Sequence, residues 1–298
     1  MTGHPVIFGE VLFDVFDDGR VVPGGAPFNV AWHLQGFGLA PILISRIGRD
    51  DLGQQIRQAM QDRDMITAGV QEDADYPTGQ VRVTVQDGQP SFDIMSDAAY
   101  DHLNADAAQK ILQQFPVTLF YHGSLIARTV PMLTLLQQLR TAVGTVFADI
   151  NLRAPWWTRQ QIETLSQGVT VLKVNDAELA ILTDSDTGLP QLELSAQHML
   201  DKYNLQKIIV TRGADGAFIR SRTELIQAVP SPVPKLVDTV GAGDGFSAVC
   251  ILGLLAGWED ALTLQRAGWF AAQICQQQGA TSNNPRLYAD CRKDWKIS

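Results

Sequence analysis

The chain has 298 residues, enough for one large domain or two modest ones, and its 45% hydrophobic and 18% charged content is that of an ordinary globular protein. Its 23 Lys and Arg against 32 Asp and Glu leave a formal charge of −9, which repels a nucleic-acid backbone and excludes non-specific binding to DNA or RNA. An anionic ligand must then be met locally, by backbone N–H groups, a few basic side chains or a metal ion.

In chain order, "MTGHPVIFGE" enters a short strand at once, without a basic and apolar leader. "FNVAWHLQGFG" reads as a helix with a glycine stop, "PILISRIG" as a strand and "DLGQQIRQAMQDR" as a helix. Further along, "VTLFYHG", "GTVFADI", "VTVLKVN" and "QKIIVTRG" are strand-like; "PMLTLLQQLRTA", "DAELAILT" and "QLELSAQHMLDKY" are helical. Short β-branched runs alternating with amphipathic helices predict an α/β fold, a mostly parallel central sheet covered by helices on both faces. Residues 11–23 and Thr78 to Met95 depart from this rhythm, alternating with period two and no helix between, and "DGQP" reads as a hairpin turn. Small antiparallel strands there form either a lid over a site at the strand ends or an extension of the sheet edge.

The longest apolar stretch, Phe246 to Ala256, is too short to cross a bilayer, so the cytoplasm is expected, with no membrane partner. Cys250, Cys275 and Cys291 are scattered, without a CxxC pair, which supports neither a disulfide framework nor a zinc site. Cys250 sits within an apolar helix pattern and reads as core.

Asp244 stands at the mouth of that apolar helix, in "DTVGAGDGF". Gly241, Ala242 and Gly243 leave the backbone free to turn successive N–H groups toward an anion. An acid beside such a nest either caps the helix, with Asp238 and Thr239 shaping the turn, or accepts a proton from an alcohol attacking phosphorus. The glycine spacing fits neither a dinucleotide fingerprint nor a Walker A loop, since Phe246 stands at the third glycine position and no Gly-Lys-Ser/Thr follows. A second glycine pair, Gly24 and Gly25 in "GGAPFNVAWHLQGFG", allows close approach of a ligand to the backbone, with Asn29 one turn on.

These segments, with "IGRDDLG", "DINLRAPWW", "KVNDAEL" and "VTRGADG" in order between them, resemble the ribokinase-like sugar kinases, the PfkB carbohydrate kinase family. The resemblance spans essentially the whole length, implying one kinase domain over 1–298 with the lid strands inserted within it. It implies ATP-dependent phosphoryl transfer with Asp244 as catalytic base toward a sugar hydroxyl and Gly241, Ala242 and Gly243 as the anion hole. Asn175 and Glu178 match an N-x-x-E pattern that places Mg²⁺ and the phosphates, largely through water; from residue type alone they read as helix capping. Thr211, Gly213 and Gly216 match a segment against the nucleotide, although Gly216 also suits a simple turn. Asp238 and Thr239 fall where many members bind a monovalent cation such as K⁺. On the sugar side, Asp14, Gly24, Gly25 and Asn29 match positions that hold hydroxyls; alone, Asp14 reads as a solvated loop acid.

"DINLRAPWW", an N-x-R followed by an aromatic, resembles the fructokinase and 2-keto-3-deoxygluconate kinase branches more than ribokinase or adenosine kinase. Arg153 holds a substrate carboxylate or hydroxyls on this view, or pairs with a nearby acid as a loop arginine. In both branches the lid commonly carries a further arginine after its aromatic pair; here Met95 and Ser96 stand instead, with Arg82 in the preceding strand as a substitute. The missing clamp points to fructose or a similar neutral ketose. A 2-keto-3-deoxygluconate kinase, a nucleoside kinase of the same fold and a catalytically silent sugar sensor remain the alternatives, and Trp156 and Trp157 point away from a nucleoside. Lids of such kinases often pair between subunits, which leaves a homodimer and a monomer with a covered strand edge both open.

Overall fold

Apolar side chains alternate between two faces along each central strand, and each face is buried under its own set of helices. The structure, a computed structural model, describes residues 3–86 and 89–297, with only the backbone path for 85, 86 and 89–91. The strands are β1 His4–Phe8, β2 Leu12–Phe16, β3 Val21–Gly24, β4 Ile42–Gly48, β5 Val70–Asp73, β6 Gly79–Gln86, β7 Gln89–Ile94, β8 Val117–His122, β9 Val146–Asp149, β10 Val171–Asn175, β11 Lys207–Thr211, β12 Ala217–Ser221 and β13 Leu225–Ala228. The helices are α1 Ala26–Gly36, α2 Asp51–Gln61, α3 Ala105–Gln114, α4 Val130–Arg140, α5 Arg159–Ser166, α6 Asp176–Thr183, α7 Leu189–Lys202, α8 Ala242–Ala256, α9 Asp260–Ile274 and α10 Pro285–Trp295.

The main sheet has nine strands in the order β13-β12-β11-β10-β9-β8-β1-β4-β5. Its strands from β11 to β5 pair in parallel, while β12 and β13 extend one edge antiparallel. Val6 and Phe8 of β1, Ile42 and Ile44 of β4 and Leu172 and Val174 of β10 enter one core with the buried faces of α3, α4, α5 and α7. Ile7, Leu43 and Val171 enter the other, with α1, α2, α8, α9 and α10. Two buried faces are what a parallel sheet requires, because its crossovers place helices on both sides. α8 is buried from Gly245 through Gly253, so its lack of a polar stripe marks a core helix, and Cys250 is buried within it as expected.

The four remaining strands form a separate sheet, β3-β2-β6-β7. The period-two stretches are therefore a lid and not an edge extension. It is mixed instead of purely antiparallel: β2 pairs β3, and β6 pairs β7, antiparallel, but β2 and β6 run parallel in the register Leu12↔Gly79 to Phe16↔Val83. The cause is topological, since β1 and β5 run in the same direction in the main sheet and the chain leaves both at the same edge to enter the lid. The hairpin between β6 and β7 is formed, while the Asp87-Gly88 turn lies outside the described residues. Among the described residues no helix is long and apolar enough to cross a membrane.

Candidate active site

The carboxyl ends of the parallel strands open into a cavity of about 610 Å³, where α/β sheets place their ligands. Leu12, Val81, Phe92 and Ile94 of the lid wall it on one side, and Thr239, Gly241 and Gly243 at the start of α8 on the other. Asp244 lies between them. The α8 N-cap is Gly241, with no side-chain cap bond, so Asp244 is not the cap; its Oδ2 accepts a hydrogen bond from Asn29 Nδ2 at 2.7 Å. The first-turn N–H groups of a helix have no intrahelical acceptor, and Gly241 and Gly243 at the start of α8 line the same cavity. Ala242 contributes less than expected, because its N–H turns back toward the Thr239 carbonyl at 3.3 Å. Burial pushes the Asp244 carboxyl up to about 6, against the lowering effects of the Asn29 bond and of Lys173 and Arg153.

The backbone geometry shows why glycine is needed here. Gly241 has φ +79°, and a Cβ on it would lie 2.3 Å from Ala280 Cα. Gly25 caps α1 at φ +99°, with the Glu10 carbonyl 2.8 Å from where its Cβ would stand, and a Cβ on Gly24 would meet Asp14 Oδ2 at 2.8 Å. Gly24 thus makes room for the Asp14 carboxylate while Gly25 lines the cavity. Burial raises Asp14 to about 6, with Arg153 acting in the opposite direction. Arg153 lies at the cavity, over the Phe92 ring at 5.1 Å, within electrostatic reach of both Asp14 and Asp244. Asn29 is 4% exposed, and its Oδ1 has no protein partner among the described residues, leaving an acceptor for a ligand.

Asn175 and Glu178 do cap α6. Glu178 N–H donates to Asn175 Oδ1 at 2.7 Å, Asn175 N–H to Glu178 Oε2 at 2.8 Å, and Leu152 N–H to Glu178 Oε1 at 3.1 Å. Both residues also line the cavity, so capping and site membership coincide. Each Glu178 oxygen keeps a second lone pair, which suits a hydrated cation held through water. Among the described residues no group of three or more His, Cys, Asp or Glu side chains is arranged to hold a metal unaided. Burial raises the Glu178 pKa, opposed by its Asn175 bond and by Lys173.

Thr211 lines the cavity, whereas Gly213 and Gly216 form the turn between β11 and β12, outside the cavity lining. The simple-turn reading of Gly216 accounts for its glycine: it has φ +87°, and a Cβ would lie 2.5 Å from the Ala228 carbonyl oxygen. Thr239 lines the cavity, and Asp238 braces the loop by accepting from Val240 N–H at 3.0 Å and Gly279 N–H at 3.1 Å. Arg82 does not replace the missing lid arginine: it is exposed between the buried Val81 and Val83, on the lid face turned away from the cavity.

Sequence reasoning missed a buried network beneath Asp244. Lys173 Nζ donates to both Asp149 oxygens at 2.8 and 3.0 Å, and Ser247 Oγ donates to Asp149 Oδ2 at 2.6 Å. Burial alone would lower the Lys173 pKa, but Asp149 reverses this and holds the ammonium above its ordinary value. A charge at the end of an apolar run, in "VFAD" and in "VLKVN", was the available signal.

The profile of the pfkB family carbohydrate kinases matches residues 14–287. A fructokinase of Salmonella typhimurium is 25% identical over 310 residues, covering 99% of this chain and 98% of its own. Among solved structures, a fructokinase of Xylella fastidiosa with bound ATP superposes with TM-score 0.85 at 19% identity, covering 99% of this chain and all of that one. A 2-dehydro-3-deoxygluconokinase of Thermotoga maritima gives 0.80 at 18% identity, over 98% and 99% of the two chains. At those identities the superpositions show the fold alone, and two substrate classes share it.

Proposed function

The chain belongs to the pfkB family of carbohydrate kinases, and on that premise we propose that it transfers the γ-phosphoryl group of ATP to a primary hydroxyl of fructose or a similar neutral ketose. The observation that carries this reading is the Asp244 carboxylate, held by Asn29 at the mouth of α8 and facing the cavity under the lid. Asp244 accepts the proton of the attacking hydroxyl, while the free N–H groups at the helix start hold the phosphoryl oxygens. Asn175 and Glu178 would hold, through water, the Mg²⁺ that accompanies ATP, and that ion would offset charge on the phosphates. Among the described residues the cavity lining carries two cationic side chains, Lys173 and Arg153, and Lys173 is committed to Asp149. That leaves Arg153 alone within reach of Asp14 and Asp244, which favours a neutral sugar over an acidic one. Thr239 and Asp238 offer a place for K⁺ beside the anion hole.

A coupled ADP-release assay tests this with fructose, tagatose, ribose, 2-keto-3-deoxygluconate and adenosine. Turnover is expected with a neutral ketose, and Asp244→Asn is expected to lower kcat by about 10²–10⁴-fold with an unchanged unfolding curve. Near-normal turnover in that variant would remove the catalytic role of Asp244. Efficient use of 2-keto-3-deoxygluconate with none of fructose would overturn the substrate reading, and sugar binding without turnover would favour a sensor.

A further inference from the structure

Glu10 follows β1 directly, in the segment that crosses into the lid, and no part of the mechanism above uses it. It is 4% exposed and lines the cavity together with Leu12, Asp14, Asn29 and Asp244. Its Oε2 has no hydrogen-bond partner among the described residues. The cation that acts on Glu10, Arg128, gives Nε to Asp101 Oδ1 at 2.8 Å and Nη2 to the Met95 carbonyl at 2.7 Å, stacks its guanidinium on Tyr100 and Trp156, and makes no hydrogen bond to Glu10, its Nη1 being without a partner among the described residues. The other ionisable groups that act on Glu10 are Asp244, Asp101, Tyr100 and Tyr121, none of which neutralises a carboxylate. A buried carboxyl oxygen without a partner is costly, and it persists in a binding wall when a ligand completes it.

We infer that Glu10 is a sugar-binding side chain, its carboxyl hydrogen-bonding a substrate hydroxyl between those met by Asp14 and by Asp244. This rests on the kinase reading and narrows its substrate class to a neutral polyol. Burial pushes the Glu10 carboxyl up to about 8, so at neutral pH it both donates and accepts, as a hydroxyl does. The burial that disfavours ionisation of Glu10 equally disfavours an ionised substrate carboxylate at that place.

The test pairs Glu10→Ala and Glu10→Gln with the neutral sugar that the wild type turns over best and with its series of monodeoxy analogues. For the wild type, one analogue is expected to lose about 10–100-fold in kcat/KM, because the hydroxyl it lacks leaves Glu10 unpaired. In Glu10→Ala the parent sugar drops by a similar factor, the same analogue loses no more than about threefold further, and the remaining analogues keep their wild-type penalties. Glu10→Gln, which also donates and accepts, keeps most of the affinity for sugar, and the KM for ATP is unchanged in both variants. Wild-type penalties retained by every analogue in Glu10→Ala would overturn the inference while leaving the kinase reading intact. Silence of the wild type toward every neutral sugar would overturn both.

Discussion

At the scale of single residues, the site is governed by carboxyls removed from water. Asp244 and Asn29 are separated by 215 positions in sequence and meet at 2.7 Å, so the geometry of the Asp244 carboxyl is set by the contact between α8 and α1. Burial places the Asp244 carboxyl at about 6, and a base works only when ionised. Its raised pKa therefore predicts kcat/KM that is flat between about 6 and about 8, where Glu10 begins to ionise, and falls about tenfold per pH unit below 6. Asp14 titrates in the same range, so the profile is best measured in Asp14→Asn, where a one-proton slope is expected to remain. A profile flat down to pH about 4.5 would show that the proton is not accepted by a group raised in this way.

At the scale of elements, the start of α8 carries the largest local demand. Gly241 must be left-handed, at φ +79°, and must lie against Ala280 without a side chain. Gly241→Ala is expected to cost about 1–3 kcal/mol for the backbone alone, with a further loss from the collision. Chemical unfolding measures the first effect, and a fall in kcat larger than the rise in sugar KM measures the displacement of the anion hole. The start of α6 combines two roles instead of dividing them, since Asn175 and Glu178 satisfy each other's backbone and still face the cavity. In the lid, alternation decides which face is chemical: Val81, Phe92 and Ile94 look inward and Arg82 outward.

At the scale of the whole molecule, the Asp149, Lys173 and Ser247 network ties β9 and β10 to α8 between the two cores. Removing one partner of a buried ion pair leaves a stranded charge, so Asp149→Asn is expected to destabilise the protein by about 3–5 kcal/mol in urea unfolding. The double variant Asp149→Leu/Lys173→Met removes both charges and is expected to recover most of that stability. Its kcat is expected to remain low, because α8, which presents Asp244, has lost its tie to the sheet. Full recovery of activity in the double variant would show that the network serves stability alone.

The sequence by itself determined what depends on local pattern and residue type. β-branched runs and amphipathic helices in alternation specified the parallel sheet, period two specified the lid strands, and the glycines around Asp244 marked the helix mouth. The motif order pointed to the sugar kinase family, which the family profile over residues 14–287 bears out. Only the tertiary structure decided whether Asp244 caps its helix or faces a cavity, since that depends on Asn29 arriving from the other end of the chain. It also decided that the lid is mixed, because strand direction follows from which sheet edge the chain leaves. Arg82 was placed on the outer face by register, and Glu10 and the Lys173–Asp149 pair were drawn into the site by burial. Long-range packing sets these features, and a string of residues carries burial and register only where local periodicity encodes them.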